Sequence, residues 1–418
     1  MFFHSLVASP WRSGAILAGL ALAVRLAAIF VVFEDRTYFS DETNYLREAA
    51  RVAEGEWLGV NTITPPGPLY AMAAGMTLGM GLREFRLVQA GLGAVVVLLT
   101  VLLAWETFGR SAALLAGAVT AVYPYLVYMS GVLYTQNQVI PLLLLIVLAL
   151  YRRQRGGGRG WLFAAGVGWG TAAQFMVPSV LTAPVLALWH LARMRFRRGA
   201  ADVAILTAVT VLCLVPVTIR NYALDHRFVF VSSMGSRGFY WSNNPHIDPR
   251  NRDAEKWIEV NVIRVREEKL AKGWTEAQVD SALGARAIGF IRENPRRFLG
   301  NYAFRIGTMW SPRPNPWTTN PHTGGLQFLV AALTSAPVIV LGLIALAVFA
   351  GRRRELFPFY AVPLVFTAVL AFFHTTVRYR LTFEPLLIIL ASALVLKLFA
   401  GFRSRRAPST APAPLEHP

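Results

Sequence analysis

The stretch FSDETNYLREAARVA, residues 39–53, decides how this chain is read. It follows closely on the first long apolar run, about 13–33, and sets two adjacent carboxylates, Asp41 and Glu42, at the edge of that run. Carboxylates are costly near hydrocarbon, so a pair kept at a membrane boundary marks a candidate functional site. Ser40 can cap a helix beginning at Asp41, with Tyr45, Leu46, Ala49, Val52 and Ala53 on one side. Two readings stand at this point. The acids complement the dipole of the helix they open, or one of them takes a proton from a substrate hydroxyl. Spacing alone favours the first.

Composition supports a membrane setting. Of the 418 residues, 55% are hydrophobic and 15% charged, where soluble domains carry about a quarter charged. The net charge is +18, almost all of the positive charge being arginine. These arginines cluster at the ends of apolar runs and not along one soluble face, which disfavours a nucleic-acid partner and follows the positive-inside rule. The lone cysteine, Cys213, excludes an intrachain disulfide and a cysteine-based metal site. The histidines are scattered without metal-ligand spacing, so no metal site is expected. Neither a phosphate-binding loop nor a dinucleotide fingerprint occurs. The first apolar run is too long for a cleavable signal and reads as an anchor.

Runs of spanning length fall near 13–33, 86–105, 112–129, 132–151, 160–177, 179–192, 203–220, 326–350, 356–374 and 380–400. A further candidate, 66–82, is short and glycine-rich. If it crossed, the basic loop Arg152 to Arg155 would leave the side expected of it. If it lies along the interface, that loop, Arg193 to Arg198, Arg352 to Arg354 and Arg403 to Arg406 all fall on the cytoplasmic side. The expectation is an all-α polytopic membrane protein with about ten spans, both termini inside, and an interfacial helix at 66–82. Its parts are a transmembrane module at 1–220 with a first outer loop at 34–85, a helical outer domain at 221–325, further spans at 326–402 and a disordered tail at 403–418. In the outer domain, Thr275-Glu276-Ala277-Gln278 reads as a capping box opening a helix to about Glu293. Pro295 restarts a helix to about Met309, with Phe298, Leu299, Tyr302, Phe304 and Ile306 as its apolar face on the membrane surface.

Taken in order, the motifs resemble a known family. The first apolar run is followed by SDETNYLREAARVAEGEW (40–57), TPPGPLY (64–70) and RLVQAGLGAVVVLL (86–99). Then come YPYLVYMSGVLYTQ (123–136), TIRNYALDHRFVFVSSMGSRGFYWSNNP (218–245), FIRENPRRFLG (290–300) and HTTVRYRLTFEPLLIIL (374–390). This succession is similar to the GT-C superfamily of polyprenyl-phosphate-sugar-dependent glycosyltransferases, which includes protein O-mannosyltransferases and the aminoarabinose transferase of lipid A. The resemblance covers nearly the whole chain. It implies a GT-C fold and places the catalytic base at Asp41, with Glu42 as the second candidate. Two departures argue against protein mannosylation in particular. Gln136 stands where relatives carry an acid, and can orient a hydroxyl without acting as a base. Thr64 stands where protein O-mannosyltransferases tend to have histidine.

Other residues fall into place around that implication. His374, Arg378 and Arg380 sit at the mouth of the last span. They are either interfacial anchors or, in such a transferase, holders of a departing lipid phosphate. Arg220 is a second phosphate candidate. Arg25, deep in the first run, reads as structural, paired with a buried carboxylate or carbonyl. Trp241, Asn243 and Asn244 bind sugar or form an ordinary Asn-Asn-Pro turn. Tyr45, Pro65, Pro66 and Tyr70 complete the candidate substrate surface. The expected function is transfer of a sugar from a polyprenyl-phosphate donor to the hydroxyl of a glycan, lipid or protein acceptor, with inversion, on the outer face of the cytoplasmic membrane. A lipid-linked sugar transporter without chemistry, or a ligase moving a whole glycan, is the alternative.

Overall fold

A computed structural model of the chain describes residues 9–59, 61–250, 252–312, 325–373 and 375–406. Among these residues there are eighteen α-helices and no strand. The first half holds α1 (Pro10–Val32), α2 (Ser40–Ala53), α3 (Pro66–Thr77), α4 (Leu82–Phe108), α5 (Arg110–Val122), α6 (Pro124–Met129), α7 (Gln136–Gln154), α8 (Gly160–Phe175) and α9 (Thr182–Arg193). The second half holds α10 (Phe196–Asp225), α11 (Met234–Ser242), α12 (Arg252–Ala271), α13 (Glu276–Glu293), α14 (Pro295–Met309), α15 (Gly325–Val348), α16 (Phe357–Leu370), α17 (Val377–Leu381) and α18 (Glu384–Arg406). Proline opens α1, α3, α6 and α14 at their first turn, where its missing N–H is no loss.

Pro10–Val32, Leu82–Phe108, Phe196–Asp225, Phe328–Val348 and Glu384–Gly401 are long and apolar enough to cross a membrane. Arg110–Val122 and Phe357–Leu370 are apolar but shorter. The chain therefore has the helices of a multi-pass membrane protein. Its core lies where α4, α7 and α18 meet. The runs Val101 to Ala104, Ile146 to Leu150 and Leu386 to Leu390 are buried on every side, as befits helices that are apolar all round.

Not every expected span is a single helix. The run 112–129 breaks between α5 and α6 at Tyr123 and Pro124. Pro124 has no N–H to give Thr120, so the end of α5 is left with orphaned carbonyls. Arg25 supplies the missing donors. Its Nη1 donates to the carbonyls of Ala121 at 2.9 Å and Ala21 at 3.2 Å, and its Nη2 to that of Thr120 at 3.5 Å. Gly93 makes the room, since a Cβ there would stand 2.2 Å from Arg25 Nε. Arg25 is thus structural, and its partners are carbonyls.

The basic loops gather at one end of the bundle. Arg152 and Arg155 pair with Glu106, and Arg153 holds Asp202 through two bonds of 2.8 Å. Arg352 donates to the carbonyl of Thr107 at 2.7 Å, and Trp189 to that of Arg354 at 2.8 Å. The opposite end carries α2, α3 and α17. There Arg86, in the first turns of α4, donates to the carbonyls of Glu34 at 2.6 Å and Arg36 at 2.7 Å. The start of α4 therefore lies beside the end of α1, and α3 stays at that end with α2. Its 12 residues extend only about 18 Å, well short of a hydrocarbon core of about 30 Å.

Between α10 and α15 the chain builds a small helical unit around Ile247, Val262, Val279 and Leu283, with Tyr240 and Trp241 packed against them. The capping box at Thr275 forms as expected: Gln278 N donates to Thr275 Oγ1 at 3.3 Å, and Thr275 N to Gln278 Oε1 at 2.8 Å. Helix α14 restarts at Pro295 as expected, but its most buried stripe is Asn301, Arg305 and Met309. Leu299, expected on the apolar face, is exposed, whereas Phe298 and Tyr302 pack against the Phe372 ring. Helix α18 runs on through Arg406, into the stretch expected to be a disordered tail. Residues 407–418 lie outside the described part.

Candidate active site

The paired acids part company in three dimensions. Helix α2 begins at Ser40, not Asp41, so Phe39 and not Ser40 stands at its cap position. The cap comes from Glu42, three positions inside. Its Oε2 accepts the N–H of Tyr38 at 2.8 Å and of Phe39 at 3.0 Å. Its Oε1 accepts the N–H of Leu133 at 2.9 Å. Glu42 is fully buried, and it ties the segment after α1 to the segment between α6 and α7. Burial pushes its carboxyl up, while the three N–H groups and nearby Arg86 pull it back down. A carboxylate so occupied holds structure and does not face a substrate.

Asp41 faces the other way. Its side chain is 37% exposed, and Oδ2 accepts from Arg378 Nη1 at 2.7 Å. Arg378 lies 4.3 Å from the ring centre of Tyr134 and 5.2 Å from that of Tyr379. Its Nη2 donates to Tyr379 Oη at 3.4 Å, and its buried Nε has no partner. Tyr45 lies one helical turn along from Asp41. Burial, with the Asp41 charge close by, pushes its phenol above the usual range, so it stays a neutral donor.

The two segments that carry these groups are held by specific packing. Asn137 Nδ2 donates to Gln89 Oε1 at 2.7 Å and to the carbonyls of Met129 at 2.8 Å and Val132 at 3.0 Å. Gly131 lets the Phe33 ring approach, since a Cβ there would sit 2.2 Å from it. That ring also contacts Tyr38 and Tyr128 and lies under the Arg86 guanidinium.

The remaining expected site residues divide. Arg380 is fully buried; it bonds Glu384 at 3.3 Å and the carbonyls of Met309 and Ser311, and its Nη2 is left without a partner. Glu384 in turn accepts from Tyr123, which also bonds Ser335. Arg220 is buried too. It donates to the carbonyls of Leu58 at 2.7 Å and Asn61 at 2.9 Å and to Asn221 Oδ1 at 2.8 Å. Both were expected at an open phosphate site, but each faces backbone oxygens and closes a loop instead. Asn243 and Asn244 are buried and bonded to nearby carbonyls, with Arg305 donating to Asn243 Oδ1 at 3.2 Å. They form the turn, and Trp241 packs into the helical unit. Tyr70 donates to the carbonyl of Trp57 at 2.7 Å. Pro65 and Pro66 set the start of α3, with Pro66 buried. Gln136 is buried at the start of α7, its Oε1 without a partner. His374 lies outside the described residues.

Asp41 therefore meets Arg378, with Tyr45 and Tyr134 near enough to feel its charge and Tyr379 beside Arg378. Sequence reasoning missed Tyr134, Tyr379, Asn137 and Arg86. Tyr379 lay inside a quoted motif, next to the arginine it serves, and Tyr134 lay two positions before Gln136. Among the described residues no group of three His, Cys, Asp or Glu side chains gathers.

The family model for dolichyl-phosphate-mannose-protein mannosyltransferase matches residues 64–220, a stretch that holds both Thr64 and Gln136. No curated protein matches the sequence. The oligosaccharyltransferase AglB from Archaeoglobus fulgidus, solved with an inhibitory peptide and a dolichol-phosphate, superposes with a TM-score of 0.58. Identity is 14%, over 94% of this chain and 51% of that one. The chain has the GT-C fold. An Archaeoglobus fulgidus oligosaccharyltransferase tethered to an acceptor peptide gives a TM-score of 0.58 at 13% identity, over 96% of this chain and 51% of that one. ArnT from Cupriavidus metallidurans matches with a TM-score of 0.41 at 16% identity, over 92% of this chain and 78% of that one. This chain spans about half the length of the two oligosaccharyltransferase structures. The GT-C expectation from the sequence motifs therefore holds at the level of fold, and the all-α expectation holds with it.

Proposed function

We propose that the protein is a membrane glycosyltransferase. It moves a sugar from a polyprenyl-phosphate donor to an acceptor hydroxyl on a glycan, lipid or protein, at the outer face of the cytoplasmic membrane. The observation that carries this reading is the Asp41–Arg378 pair: a reachable carboxylate bonded to a guanidinium that is itself partly exposed. Asp41 takes the proton of the acceptor hydroxyl as its oxygen attacks the anomeric carbon. The bond from that carbon to the phosphate oxygen breaks, and the phosphate leaves carrying the charge. Arg378 stabilises that growing charge through two parallel hydrogen bonds, which suit a planar guanidinium better than an ammonium. A single displacement inverts the anomeric carbon. Glu42 positions the two segments, and Arg380 and Arg220 brace the fold. The dolichol-phosphate held by AglB supports a lipid phosphate donor, and the Arg-rich loops at the far end support an outward site.

The test uses the full chain in lipid nanodiscs with undecaprenyl phosphate as the probe. Arg378→Lys is expected to weaken binding by about tenfold or more, whereas Arg153→Lys at the opposite end leaves it unchanged. Asp41→Asn is expected to keep binding and lose transfer. Equal binding by the Arg378→Lys variant and the wild type would remove the phosphate site from Arg378.

A further inference from the structure

Arg378 carries more of the site than its bond to Asp41. Its guanidinium lies near two phenol rings, 4.3 Å from the centre of Tyr134 and 5.2 Å from that of Tyr379. Tyr134 is itself nearly buried and backed by the Phe39 ring at 5.2 Å. Ring faces attract a cation, and a planar guanidinium stacks on them where an ammonium does not. Such contacts fix the plane of the group and leave its edge for hydrogen bonds. On that edge Nη1 is taken by Asp41, Nη2 has a 3.4 Å bond to Tyr379, and Nε is buried without a partner. Glu42 extends the support, since its bond at 2.9 Å to Leu133 N holds the residue next to Tyr134.

We infer that Tyr134 and Tyr379 are positioning residues that clamp Arg378, so that one guanidinium holds the Asp41 carboxylate and the donor phosphate together and sets the distance between base and leaving group. This rests on the function proposed above. The rings touch neither reactant. They act by stopping Arg378 from swinging to either partner alone.

The experiment measures undecaprenyl phosphate binding to the full chain in nanodiscs, by native mass spectrometry. Tyr134→Phe keeps the ring and is expected to bind within about twofold of wild type, whereas Tyr134→Leu and Tyr379→Leu each lose about tenfold. In an Arg378→Gln background, Tyr134→Leu is expected to add less than about twofold, because the partner of the ring is already gone. The same tenfold loss in that background would show that the ring only braces the fold, and would overturn the clamp. So would a tenfold loss in Tyr134→Phe. Wild-type protein that fails to bind the probe overturns the donor assignment itself. Wild type that binds, with Tyr134→Leu binding equally well, overturns the clamp alone.

Discussion

Replacing Glu42 by glutamine separates the two acids that the sequence sets side by side. The carboxylate accepts three buried N–H groups, from Tyr38 and Phe39 on one oxygen and from Leu133 on the other. A glutamine has one accepting oxygen and one donating NH2 at the same positions. Turned to keep Tyr38 and Phe39, it sets its NH2 against the Leu133 N–H; turned the other way, it orphans two donors. The first orientation wins, and one buried donor is left unsatisfied. That costs about 1–3 kcal/mol and frees the 130–136 segment from α2. Asp41→Asn is the comparison. Asp41 is more than a third exposed and its pair with Arg378 is open to water, so solvent screening keeps the stability change below about 1 kcal/mol. Turnover, by contrast, should fall by about 10²–10⁴-fold with the loss of the base. The assay is a thermal melt of each variant in nanodiscs by tryptophan fluorescence, with transfer of labelled sugar from a lipid-linked sugar extract measured in parallel. Glu42→Gln is expected to melt several degrees lower, and Asp41→Asn to melt with the wild type but not turn over. A Glu42→Gln variant with unchanged melting and no turnover would make Glu42 the base and refute the reasoning.

Three further outcomes follow from the same structure. Burial places the folded pKa of Glu42 above its unfolded value, so the stability linked to its proton is whole below the unfolded pKa and is lost as pH rises through the folded one. Wild-type melting should therefore rise as pH falls from neutrality towards the unfolded pKa, and a wild-type melting temperature that falls over that range would contradict the shift. Arg25→Leu leaves the Thr120 and Ala121 carbonyls at the α5 break without their donor and should cost about 2–4 kcal/mol, read as a lower melting temperature; an unchanged melt would show that water or another group serves the break. In a Cys213→Ser background, Gly81→Cys and Thr43→Cys should react with an impermeant thiol reagent from the same side of the membrane. Labelling from opposite sides would mean that α3 crosses.

The sequence by itself determined the features that are local to a helical turn or a run of residues. The capping box at Thr275 and the proline starts of α3 and α14 depend on neighbours within a few positions, and the structure forms them where expected; of the ten apolar runs, five form helices long and apolar enough to span. The order of short motifs also sufficed to point to the GT-C fold. Tertiary structure alone decided which of two adjacent acids is available, because Glu42 is claimed by a residue 91 positions away and Asp41 by one 337 positions away. The same holds for the arginines. Arg378 and Arg380 are two residues apart in one short helix and so point in different directions. One turns to Asp41 and the tyrosines, and the other to buried carbonyls. Whether a polar side chain is free for chemistry depends on which distant backbone groups need a partner. That is settled only when the helices pack and the breaks in them, such as the one at Pro124, must be satisfied inside the bundle.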